Sequence, residues 1–302
     1  MSRDKAERGW FVTGVLILVG LLGVAIVMMR PSELPIAPIV DVVRHEPALS
    51  HGPDVPVIVE LFTARGCTPC PAAEALLQAL DTEQPVPGVL VIPLGMHIDY
   101  WNHRALDPFA EAMYTERQRS YHAGLGSRVL YTPEVVVDGR MNFVGGPRKL
   151  AEHAVMRAAA LEKAVVHLAA RMTPPDRIDI QVDVTDMSAL PRDEDLALWV
   201  AVTEVGLGGN DGDDNGAAEQ RDNAGGAGHD ASGAPFPRVS NAAVVRMLTR
   251  IDTISSPRPR RRSASAALTR HPDWRSGSVR VVAFLQGEQS RHIHGAAQIR
   301  LE

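Results

Sequence analysis

The stretch Val57-Ile58-Val59-Glu60-Leu61-Phe62-Thr63-Ala64-Arg65-Gly66-Cys67-Thr68-Pro69-Cys70-Pro71 decides how this chain is read. Val57 to Phe62 is apolar apart from Glu60 and rich in branched side chains, which predicts a mostly buried strand. Gly66 marks a short turn. Ala72 to Leu80 then supplies strong helix formers with an apolar face at Ala73, Leu76, Leu77 and Leu80. Two cysteines therefore stand between a strand and a helix, and the 302 residues contain no others.

Working outward, Val89 to Leu94 predicts a second buried strand. Phe109 to His122 predicts a polar-faced helix, entered through Asp107 as N-cap and Pro108 in its first turn. Glu134 to Val137 and Met141 to Val144 predict two strands joined by the hairpin signal Asp138-Gly139. Pro147 to about Leu161 predicts a helix. The order β-α-β-α-β-β-α predicts an α/β, thioredoxin-like domain over residues 56–162, its parallel sheet carrying an antiparallel edge.

Beyond it the period changes. Ala164 to Arg171, Arg177 to Val184, Leu196 to Val205, Val279 to Gln286 and Ile293 to Leu301 read as short strands. Ala242 to Ile251 fits either a strand or a helix. These runs predict a smaller, mostly-β, sandwich-like domain over residues 163–302. Gly206 to Ala234, rich in glycine, aspartate and asparagine, predicts a disordered insertion. Asp211, Asp213, Asn215, Gly216 and Asp222 imitate the spacing of a calcium loop, but without flanking helices this reads as coincidence in an acidic stretch. Arg258 to Arg262 reads as a solvated loop, and His292 with His294 as a surface pair.

Upstream, Trp10 to Met29 is an uncharged apolar run of 20 residues following Arg3, Lys5 and Arg8. At about 1.5 Å per residue it spans roughly 30 Å of hydrocarbon. It predicts an uncleaved transmembrane helix within residues 1–30, a cleaved signal peptide being the alternative. A proline-rich tether follows over residues 31–55. The soluble part is then expected in the periplasm, held by a single pass through a bacterial inner membrane. The net charge of -5, with no clustered basic face, argues against a nucleic-acid partner.

A thiolate is the nucleophile of disulfide exchange, and a helix N-terminus favours it. Cys67, at an exposed start, is expected to attack, and Cys70, one turn in, to resolve the mixed disulfide. Thr68 and Pro69 shape that turn. Pro133, after Thr132, is expected to be cis and to pack on the disulfide, with Thr132 offering its backbone to a substrate peptide. An ordinary proline opening a strand is the alternative. Glu60 is either a proton relay to Cys70 or a solvent-facing edge residue. His97, Asp99, Tyr100 and Trp101 either line the rim beside the thiols or form a packed loop with a His–Asp hydrogen bond.

The segments Val-Glu-Leu-Phe-Thr-x-x-Gly-Cys-x-x-Cys-Pro, His97-Ile-Asp-Tyr-Trp101, Asp107-Pro-Phe-Ala110, Thr115-Glu-Arg-Gln-Arg-x-Tyr121 and Tyr131-Thr-Pro-x-x-Val-Val-Asp-Gly139 resemble the secreted thioredoxin-like proteins grouped as domain of unknown function 1223. The resemblance covers about Val57 to Gly145 closely. It implies the fold and an extracytoplasmic setting, but no activity or substrate.

Three functions compete. The first is a membrane-anchored thiol–disulfide oxidoreductase acting on thiols and disulfides of exported proteins, served by a membrane redox partner. The second is a Cu(I)-handling protein using Cys67, Cys70 and His97. The third is a non-catalytic interaction or scaffold module with a structural disulfide. No cofactor is expected.

Overall fold

Alternate side chains of β1 (Val55–Thr63) enter two different cores. Ile58 and Phe62 join one buried cluster, while Val57, Val59 and Leu61 join another. The computed structural model that shows this describes residues 54–126, 129–207, 243–275 and 277–301.

After β1 the chain turns through Gly66 and enters α1 (Cys70–Glu83), whose first residue is the second cysteine. Pro69 and Pro71 fit there because the first N–H groups of a helix have no internal partner. Ala73, Leu76, Leu77 and Leu80 of α1 pack on Val57, Val59 and Leu61. β2 (Val89–His97) runs parallel to β1, in register from Val55 opposite Val89 to Thr63 opposite His97. α2 (Ala112–Leu125) ends at Gly126, which adopts φ 73°. Its Tyr114 and Tyr121 pack on Ile58 and Phe62.

β3 (Glu134–Val137) pairs antiparallel with β1, and β4 (Met141–Val144) with β3. Asp138 and Gly139 between them both take positive φ, 47° and 65°. That is the mirror-image turn a twisted hairpin needs, and glycine accepts it without strain. α3 (Arg148–Ala159) then lays Ala151, Ala154, Val155 and Ala158 on the same core as α1.

The remaining strands are β5 (Val165–Thr173), β6 (Arg177–Thr185), β7 (Leu196–Glu204), β8 (Val244–Ile254), β9 (Arg261–Thr269), β10 (Val279–Gly287) and β11 (Ile293–Arg300). β5, β6 and β9 form a three-stranded sheet. All the others join one eight-stranded mixed sheet in the order β11-β10-β7-β8-β2-β1-β3-β4. The junction is narrow: β8 runs parallel to β2 at Gly95 opposite Val244, with the Gly95 N–H donating to the Ala243 carbonyl at 2.9 Å. Val282 and Phe284 of β10 and Ile293 and Ala296 of β11 share the cluster of Ile58 and Phe62. The three-stranded sheet covers the other face of β7 and β10 through Ile178, Ile180, Val182 and Val184.

This corrects the expected fold class. No thioredoxin-like domain stands apart from a second, smaller sandwich, because one sheet runs through both stretches. The described residues are mostly β, with eleven strands against three α-helices and a single 3-10 turn at Met187–Ala189. Ala242 to Ile251, ambiguous in sequence, falls largely in strand β8. The basic run, expected as a loop, leads into strand β9, where Arg261 pairs with Asp183 and Arg262 with Asp252. His294 is buried at 1% exposure, so His292 and His294 are not a surface pair.

The run Trp10–Met29, expected to be a transmembrane helix, lies outside the described residues, as do most of the tether and residues 208–234 with their calcium-loop-like spacing. Among the described residues no helix is long and apolar enough to cross a membrane.

Candidate redox site

Cys67 and Cys70 are joined by a disulfide with their Cα atoms 5.4 Å apart. The turn is closed by the backbone: the Cys67 N–H donates to the Ala64 carbonyl, and the Cys70 N–H to the Cys67 carbonyl, each at 3.1 Å. Thr68 and Pro69 are exposed. Cys67 is not the exposed side chain expected from sequence. It is 3% exposed and Cys70 is fully buried, both in the cluster of Ile58 and Phe62. No acidic side chain sits in the first turn of α1 itself.

The segment after β2 comes up against this turn. A Cβ on Gly66 would meet the Trp101 carbonyl at 3.4 Å and Arg104 Cβ at 3.2 Å, so the two segments approach closely beside Cys67. The Arg104 guanidinium lies 5.0 Å from the Trp101 ring centroid. Tyr100 and Trp101 pack against the cluster that holds both cysteines. The Tyr100 hydroxyl donates to Gln118 Oε1 at 3.2 Å, and Asp99 Oδ1 accepts from the Thr115 hydroxyl at 2.5 Å.

His97 is buried, and its Nδ1 shares a 2.7 Å hydrogen bond with Asp107 Oδ2. Asp107 also accepts the Arg65 N–H at 2.9 Å and the Phe109 N–H at 3.0 Å. It is therefore not the N-cap of α2, which begins at Ala112. Instead it ties the end of β2 to the residue two before Cys67. Burial disfavours charge on both groups, but their mutual attraction wins, holding His97 above and Asp107 below its usual range.

Within the run Ala72 to Leu80, read from sequence only as helix formers with an apolar face, one charged side chain is buried. Glu74 of α1, one turn after Cys70, is 2% exposed. Its Oε1 accepts a hydrogen bond from the Thr63 hydroxyl, and its Oε2 has no hydrogen-bond partner. Burial pushes its pKa up from 4.5 to about 7, with the Thr63 bond and His97 pulling the other way.

Glu60 is not brought to the disulfide by any hydrogen bond, nor does it face solvent. It is fully buried and held by Arg117, Nε to Oε1 at 2.6 Å and Nη2 to Oε2 at 3.3 Å, with the Tyr121 hydroxyl as third donor. Gln286 of β10 closes this network at Arg117 Nη1 and at the Tyr121 hydroxyl, both 3.0 Å. The Thr132–Pro133 bond is cis, and the Pro133 carbonyl accepts the Gly145 N–H at 3.0 Å. The Thr132 hydroxyl is buried without a hydrogen-bond partner. His97, the third ligand of the copper alternative, is engaged by Asp107. Among the described residues no group of three or more His, Cys, Asp or Glu side chains is arranged to hold a metal ion.

The family model described as "Protein of unknown function (DUF1223)" matches residues 58–223, more than half of the chain, including Cys67, Cys70, Glu74, His97 and Asp107. The chain belongs to the DUF1223 family. No curated protein matches it. The DUF1223 chain is similar in fold to protein AGR_C_4864 from Agrobacterium tumefaciens, a crystal structure with 19% identity, 82% of this chain and 94% of that chain covered, and a TM-score of 0.54. It is also similar to HBP35 of Porphyromonas gingivalis, with 16% identity, 83% and 76% covered, and a TM-score of 0.55. At these identities the likeness is one of fold alone.

Two site residues of this DUF1223 protein, Glu74 and Asp107, were not assigned to the site by sequence reading. For Glu74 the available signal was its spacing of four from Cys70, which puts both on one helix face. For Asp107 the signal was misleading, since Asp-Pro before a helical pattern imitates a cap.

Proposed function

We propose that this protein is a thiol–disulfide oxidoreductase that works on thiols or disulfides of exported proteins outside the cytoplasm. The observation that carries this reading is the disulfide's position: it closes only two residues, at a strand-to-helix turn, with Cys70 the first residue of α1. As a staple it is poor. The loop-entropy relation gives about 2 kcal/mol for so short a loop. As a reactive pair it is well supported, because helix N–H groups favour the thiolate released there.

The exchange balances as follows. A substrate thiolate attacks Cys67 Sγ, the Cys67–Cys70 bond breaks, and Cys70 leaves as the thiolate. A second substrate thiol, once deprotonated, attacks the mixed disulfide and releases Cys67. The substrate dithiol is oxidised by two electrons and the protein reduced by two. In reverse, Cys67 attacks a substrate disulfide and Cys70 resolves it. The apolar run Trp10–Met29 with its preceding Arg3, Lys5 and Arg8 supports export.

The test is catalysed reduction of insulin by dithiothreitol, with equilibration against glutathione. The expected result is catalysis above the uncatalysed rate that disappears in Cys67→Ser. Equal rates for wild type and Cys67→Ser would refute the reading. One observation favours a second reading, a structural cross-link: Cys67 is only 3% exposed. That reading expects the bond to resist reductant while the fold is intact.

A further inference from the structure

Among the described residues, buried carboxyl groups differ in whether a cation or several donors hold them, and even Glu204, whose Oε2 also lacks a hydrogen bond, has Arg246 Nη1 3.5 Å away. Glu60 is held by Arg117 and Tyr121. Glu134 is held by Gln118 at 2.7 Å, His122 at 2.8 Å and Asn142 at 2.7 Å. Asp138 is held by Lys163 and by the Ile58 N–H at 2.9 Å. Each of these acids has a cation or several donors, as a structural carboxylate needs. Glu74 has one hydroxyl and an orphaned oxygen. Nothing around it compensates a full negative charge by direct contact.

Its place on α1 matters. Residues four apart on a helix lie about 5–6 Å apart at Cβ. Helical side chains also lean toward the N-terminus, so a residue covers the turn before its own. Glu74 therefore covers the turn that Cys70 begins. Thr63 fixes the carboxyl at the end of β1, the same end from which the chain turns to Cys67. The groups that act on it are Thr63 from β1, His97 from β2 and Asp107 from the following segment, and Cys70 stands four residues before it on the same helix. His97 and Asp107 are occupied with each other.

We propose that Glu74 is the proton store of the cysteine pair. When a thiolate attacks Cys67 and the Cys70 sulfur leaves, Glu74 gives its proton to that sulfur and becomes a carboxylate. When Cys70 must attack a mixed disulfide, the carboxylate takes the proton back. No atom is gained or lost by the protein beyond the exchange already written. A buried carboxyl that titrates near pH 7 suits both directions. This inference rests on the exchange reading above.

The test uses wild type and Glu74→Gln, which keeps the shape and the acceptor for Thr63 but cannot ionise. The rate at which Cys70 resolves a mixed disulfide between Cys67 and a small aromatic thiol is followed against pH. In wild type the rate should rise through a step near neutral pH. In Glu74→Gln it should fall by about 10²-fold near neutral pH, lose that step, and approach wild type in alkali, where Cys70 ionises unaided. A merely structural role would lower the rate equally at every pH, and equal profiles with the step retained would overturn the proposal. A second measurement needs no variant. The infrared difference between oxidised and reduced wild type near neutral pH should contain a protonated-carboxyl band that changes with redox state, and its absence would also overturn the proposal. If wild type fails to form or resolve the mixed disulfide at all, the exchange reading falls and this one with it. If it exchanges with an unaltered profile in Glu74→Gln, only the role of Glu74 falls.

Discussion

Arg117 of α2 grips Glu60 of β1 in a buried bidentate pair, and its guanidinium also lies 5.3 Å from the Phe284 ring and 5.7 Å from the Trp199 ring. One cation thus joins β1 to β7 and β10. Removing it leaves the buried Glu60 carboxyl without its cation. Arg117→Met should cost about 3–5 kcal/mol in denaturant unfolding, and Glu60→Gln added to it should recover much of that loss. Additive losses in the double variant would show that the two side chains do not act as a pair.

Gly139 takes φ 65°, and a Cβ there would stand 2.0 Å from the Arg291 carbonyl oxygen. The neighbour is backbone and cannot swing away. Gly139→Ala should therefore lower stability by about 2–4 kcal/mol, combining left-handed strain with overpacking. A melting temperature within a degree or so of wild type would contradict the close approach of this turn to the β10–β11 hairpin.

The pH dependence of stability follows from Glu74. Burial raises its folded-state pKa from the ordinary 4.5 to about 7. Below that lower value both folded and unfolded chains hold the proton. As pH rises toward 7 the unfolded chain gives it up first, so folding loses stability through this window. Glu74→Gln removes that loss. Its stability relative to wild type should therefore increase between pH 5 and 8, by an amount on the order of 1–3 kcal/mol. A difference that does not change with pH would show that Glu74 titrates normally.

Arg261 with Asp183 and Arg262 with Asp252 are exposed on the arginine side, so solvent and salt screen them. Arg262→Gln should change stability by under about 1 kcal/mol and the change should shrink further in high salt. A larger, salt-insensitive loss would mean that β9 depends on this pair rather than on Ala264, Ala266 and Leu268, which pack into the core below.

The local parts of this architecture were readable from residues because their signals are local. Asp138-Gly139 announced the β3–β4 turn, and the apolar run after Gly66 announced α1. The global arrangement was not readable in that way. The join of β2 to β8 rests on Gly95 opposite Val244, two residues far apart in sequence with no distinguishing chemistry. β9 was missed because its inward positions are largely alanine and its outward ones serine and arginine, which gives little alternation in hydrophobicity. At the site, the cysteines and His97 were visible by type and spacing. Glu74 was hidden because glutamate is a common helix former, and only the fold shows that its face of α1 is buried.

An exchange function requires that the Cys67–Cys70 bond open while the chain stays folded. The direct measurement is the rate of reduction of the native protein by dithiothreitol without denaturant, with circular dichroism followed in the same sample. The bond should open in a single phase with the far-ultraviolet signal unchanged, and re-form on adding glutathione disulfide. Opening only as denaturant unfolds the chain would contradict an exchange function and leave the disulfide as a cross-link.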